Sequence, residues 1–161
     1  MKTRTKILIA SAIIIFIGGI FVAQSFFQTP KAAFKKLITT PIPNSVRAIE
    51  EKHFLTMDSS FWVLRFEIQR TDLQTILTDQ HFTPIDESQE FKRWDQKSQT
   101  EIKVQKEDYL NLWKQRIQNT VKLDIGFSNG WQIFTLKEGN GTKYFFFDAN
   151  SLDAVFVADA H

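Results

Sequence analysis

The sequence predicts an α+β protein: an N-terminal membrane or signal helix, then a two-layer domain with helices packed on an antiparallel sheet that ends in a four-stranded meander. Three observations carry that reading. Ile7 to Ala23 is uncharged and apolar behind Lys2, Arg4 and Lys6. Two stretches repeat apolar residues at helical spacing: Leu73, Ile76, Leu77, and Tyr109, Leu112, Trp113, Ile117. The C-terminal third alternates apolar and polar residues between the turn signals Asn129-Gly130 and Asn140-Gly141.

The apolar run divides the chain into residues 1–27, a signal sequence or N-terminal membrane anchor, and residues 28–161, a single globular domain. As a helix, Ile7–Ala23 is about 25 Å long, enough to cross a bilayer without tilt. Ala23-Gln24-Ser25 also fits a small-x-small cleavage site. The length of the run favours the anchor. Three basic residues precede the run and Lys31, Lys35 and Lys36 follow it, so side-chain charge does not orient it. The domain's tendency to translocate then favours the N-terminus inside. The expected location is the cell membrane with the domain outside the cytoplasm, or a periplasmic or secreted domain if the leader is removed. The membrane is a partner through residues 7–27 if these are uncleaved.

Composition narrows the function classes. The chain has a net charge of +2, but residues 1–25 hold three basic residues and no acidic ones, so the domain is close to neutral. That excludes the basic footprint of a nucleic-acid binder. There is no Cys, hence no disulfide, lipid-attachment cysteine or thiol nucleophile. Sixteen Phe and four Trp suggest an aromatic core.

In order along the domain, Pro30 starts a short helix over 31–38, with Phe34, Leu37 and Ile38 on one stripe. Pro41 and Pro43 end it. Residues 46–57 read as a strand, and Asp58-Ser59-Ser60 as a turn. In the strand 61–68, Trp62, Leu64, Phe66 and Ile68 face one side, and Val63, Arg65 and Glu67 the other. Thr71 with Gln74 reads as a capping box, with Asp72 in the first turn of a helix ending near Gln80. Residues 86–107 are a charged excursion, expected to hold a partial helix and an edge strand. A second amphipathic helix spans 107–118.

Four strands follow, at about 121–127, 132–138, 143–148 and 152–158. Two-residue loops at the Asn-Gly sites pair Ile125 with Phe134, Leu136 with Phe145 and Glu138 with Lys143. A turn at Asn150-Ser151 pairs Phe145 with Phe156. One face then carries Leu123, Ile125, Phe127, Phe134, Leu136, Phe145, Phe147 and Phe156, and the helices cover it. The other face carries Trp131, Ile133, Tyr144, Phe146, Val155 and Val157. An outer face should be polar, so this apolar half needs a cover. The domain's own segment 28–68 is one candidate. A protein partner or a second copy is the other, with Tyr144 and Phe146 as anchors.

No phosphate loop, zinc spacing or nucleophile elbow is present. Glu50 or Glu51 with His53 could build a small carboxylate–imidazole site. The sequence implies no cofactor and no metal. It points to a non-enzymatic binding or interaction module of the cell envelope, with Trp131, Tyr144, Phe146 and Trp94 as binding residues. The alternative is a small-ligand carrier or an enzyme with a site assembled from scattered residues. A concave pocket with convergent polar groups would mark the alternative, and a flat apolar patch the first reading.

Overall fold

The computed structural model describes residues 29–85, 91–95, 100–128 and 130–160, with the backbone alone for 92–95 and 100–102. The leader lies outside the described residues. Among these no helix is long and apolar enough to cross a membrane.

The domain is an α+β fold around a six-stranded antiparallel sheet. Its elements are α1 (Pro30–Leu37), β1 (Arg47–Leu55), β2 (Ser60–Glu67), α2 (Arg70–Asp79), β3 (Thr83–Ile85), β4 (Phe91–Asp95), β5 (Thr100–Val104), α3 (Lys106–Val121), β6 (Gln132–Glu138), β7 (Gly141–Phe147) and β8 (Asp153–Ala160). The sheet order is β1-β2-β8-β7-β6-β3, and β4 with β5 forms a separate hairpin.

Thr29 caps α1, its Oγ1 accepting from the Ala32 N–H, and Pro30 takes the position where its missing N–H costs nothing. Ala33 and Phe34 bury the helix against the sheet. In α2 the expected Thr71 cap is corrected. The helix starts at Arg70 with Gln69 as its N-cap, and Gln69 makes no side-chain capping bond. The orphan Gln69 N–H instead donates to Ser45 Oγ at 3.2 Å, and Ser45 donates to Asp72 Oδ2 at 2.5 Å. A residue 24 positions upstream thus supplies the cap. Ser45→Ala is expected to cost about 1 kcal/mol, and Thr71→Ala no more than a few tenths of that. Paired denaturation midpoints check this; equal losses would return the cap to Thr71.

The sheet is buried on both faces, so the two-layer expectation is also corrected. One face presents Leu64, Phe66, Ala154, Phe156, Phe145 and Phe147 to α1 and α2. The other presents Phe61, Val63, Val155, Val157, Phe146 and Ile133 to Leu110, Trp113 and Ile117 of α3. The cover of the second face is therefore α3, not segment 28–68. Arg116 fastens it, with its guanidinium 5.2 Å from the Phe61 and Trp113 ring centres and 2.7 Å from the Asp159 carboxylate.

The meander has three strands, not four. No helix breaker follows Gln118, so α3 runs on to Val121 and ends with Lys122 in the left-handed region at φ 59°. Lys122 Nζ then caps the Asn119 carbonyl. Leu123 and Ile125 are buried on the α3 side of the sheet without joining a ladder. Asn129 lies outside the described residues, and the Trp131 N–H donates to Ser128 O across a turn that joins no two strands. β3 takes the place beside β6 intended for 121–127, pairing Pro84 with Phe134.

The β6–β7 turn centres on Gly139-Asn140, with Glu138 opposite Gly141 and φ 58° at Gly139. This is one position earlier than Asn140-Gly141. Positive φ at the first central residue alone is the type II′ pattern. Phe134 therefore faces Phe145, and Leu136 faces Lys143; partners move by two and every side chain keeps its face. Phe145 pairs with Phe156 as expected. In the charged excursion the described residues form the β4–β5 hairpin, with Trp94 opposite Glu101, and no partial helix.

Both edges of the sheet are irregular. In β1 the register shifts between Arg47 and Glu50, so that Ala48 and Ile49 oppose Phe66, and Ala48 takes φ 50°. β3 is three residues long and carries Pro84 at its centre.

Candidate functional site

The residues named from sequence are placed as follows. Phe146 is fully buried, and Trp131 is 4% exposed. Tyr144 is half-buried, its ring 4.6 Å from Trp113 and 6.2 Å from Phe146. Phe127 joins the group, 5.0 Å from Trp131 and 4.8 Å from Phe146. Three of the four residues thus meet, but as a cluster under α3 rather than on a surface. Burial, first of all, raises both the Tyr109 and the Tyr144 hydroxyl above the usual phenol range, and the two are hydrogen-bonded to one another. Trp94 lies on β4, and its side chain is outside the described residues.

Glu51 and His53 do come together. His53 Nδ1 lies 2.5 Å from Glu51 Oε1, and its ring stacks on Trp62 at 4.4 Å. They share a face of β1 as residues two apart must. Among the described residues no hydroxyl bonds to either, and no cluster of three metal-ligating side chains exists. Among the described residues the pair is joined by the Trp62 ring and by no third polar side chain.

A concave feature lies at the opposite edge of the sheet. A cleft of about 380 Å³ opens between α2, β3 and the start of β6. β3 sets Ile85 opposite Ile133 at one side of it, and α2 follows from the end of β2 at the other. Leu73, Leu77, Ile133 and Phe147, all buried, make its apolar floor. Pro84, Ile85 and Phe134 make the wall. Arg70, Gln74 and Gln132 stand exposed at the rim, with half-buried Lys106 from the first turn of α3.

Among the described residues that line the cleft, two cations and two amides converge, with no carboxylate between them. Arg70 makes no ion pair among the described residues. It sits at the first position of α2, where the helix dipole disfavours a cation. Asp72, the acidic residue of that turn, is bound to Ser45. Among the described residues the mouth thus sets two cationic side chains, Arg70 and Lys106, over an apolar floor. Sequence reading missed this site, whose residues come from separate elements far apart along the chain. The available signal was Arg70, a cation at the wrong end of a helix.

No protein-family model, curated protein or solved structure matches the chain.

Proposed function

We propose that the protein is an extracytoplasmic, non-enzymatic binding module, held at the membrane by Ile7–Ala23 where that segment is retained, that takes up a small amphiphile with an anionic head. The observation that carries the reading is the cleft: apolar floor, cationic and amide rim, and a volume in the range of small-molecule sites. Affinity would come mainly from the tail, at about 0.8 kcal/mol per buried methylene. The exposed Arg70 contributes at most about 1 kcal/mol and chiefly sets orientation. The leader supports the location, because a basic prefix before an uncharged apolar run is a membrane-targeting pattern.

The test is a titration of the full chain in neutral-lipid nanodiscs with octanoate and octanol, followed by methyl NMR of Leu73, Leu77 and Ile133. Saturable shifts with both ligands are expected. Arg70→Glu should weaken octanoate several-fold and leave octanol unchanged. Gln74→Trp, at the exposed rim, should fill the mouth and lower both affinities more than tenfold without altering stability. Octanoate that moves none of these methyls would sink the proposal.

A further inference from the structure

The β1–β2 turn is a second unexplained feature. Among the described residues four large hydrophobic side chains are exposed: Phe54 (47%), Leu55 (43%), Met57 (101%) and Leu152 (39%). Three of them fall within four positions at one tip. Leu152 lies in the β7–β8 turn, at the other end of the sheet.

The tip is well formed. The Thr56 N–H donates to Ser59 O at 2.9 Å, and the Ser59 N–H donates to Thr56 Oγ1 at 3.0 Å. The two hydroxyls are 2.8 Å apart. Internal pairing of this kind is what a loop entering an apolar medium requires. Phe54 and Leu55, adjacent on a strand, point to opposite faces, and Met57 stands at the apex.

We propose that this turn is a lipid-docking tip: Phe54, Leu55 and Met57 enter the headgroup boundary of the bilayer that holds the leader. The proposal rests on the membrane reading of Ile7–Ala23. Only residues 24–28 separate that run from Thr29, which caps α1, so the link from Ala23 to Thr29 spans at most about 22 Å. Three side chains are too few to hold a free protein on a bilayer. A short tether makes the second contact intramolecular and raises its effective concentration. Asp58 at the apex limits the depth to the interface. A second copy fits less well, because three side chains fall far below the roughly 800 Å² per partner of a stable interface.

Because the chain has no Cys, Met57→Cys gives a unique site for an environment-sensitive fluorophore. Ala149→Cys, exposed in the opposite turn, is the control. The full-length variants are reconstituted in vesicles with and without lipid brominated near the headgroup. The expected result is blue-shifted emission at position 57, quenched by brominated lipid several-fold more than at position 149. Phe54→Ser with Leu55→Ser should reduce that quenching. Equal emission and quenching at both sites in vesicles that retain the protein overturns the docking alone. Protein that does not float with the vesicles overturns the leader reading, and the docking with it. A blue shift that grows with protein-to-lipid ratio and escapes the quencher marks a second copy at the tip, and overturns the lipid assignment.

Discussion

Truncating Phe146 to alanine is expected to cost about 3–5 kcal/mol of stability. Its side chain has no solvent exposure. It sits between Ile133 and Val155 on the neighbouring strands, with the Phe127 and Trp113 rings 4.8 and 5.7 Å away. These neighbours come from β6, β8, α3 and the segment that follows it. They are held by their own elements and cannot collapse together into the space. The cost therefore includes a cavity as well as lost transfer energy. A shift of the urea midpoint at unchanged slope measures it. Unchanged stability with lost self-association would mean that a partner, not α3, covers this face.

Phe34→Ala is expected to cost a similar amount, but with a different signature. Phe34 is fully buried, edge-on to Phe66 at 4.9 Å, and Phe66 in turn meets Phe145 at 6.3 Å. α1 has only eight residues, too few to persist in water without packing. Ala33 is its other buried side chain. Loss of the Phe34 ring should therefore release α1 while the sheet retains its second cover from α3. Hydrogen exchange should show protection lost over 30–37 at denaturant concentrations where β7 and β8 remain protected. Uniform loss across all three segments would count against that independence.

Much of the fold was legible in the chain. α1, β1, β2 and α2 lie within a residue or two of the expected spans, because caps, prolines and apolar periods agree there. The faces of the last three strands were also correct, even where the β6–β7 partners shifted, since a two-residue shift conserves parity. The strand at 121–127 failed for a physical reason. Leu123, Ile125 and Phe127 alternate because an extended chain lies against a sheet face, and alternation reports burial rather than pairing. The buried second face had its own signature in Phe145-Phe146-Phe147 and Val155-Phe156-Val157. Continuous apolar runs mark strands covered on both sides. The cleft was not legible, because Arg70, Lys106 and Gln132 lie on three separate elements and meet only in the folded chain.

The two irregular sheet edges bear on how this chain behaves among copies of itself. A continuous outer strand is a template for further strands, and nothing covalent protects a protein without cysteine while it folds. At one margin the left-handed Ala48 bends β1 away from a straight ladder, and Glu50, Glu51, Lys52 and His53 bring charged and polar side chains to any copy that tries to add there. At the other margin Pro84 removes a donor from a strand already too short to seed growth. Main-chain recruitment is thus discouraged at both ends. Copies crowded together would stay distinct molecules, and an assembly of them would have to be written in side chains, where single substitutions can tune it.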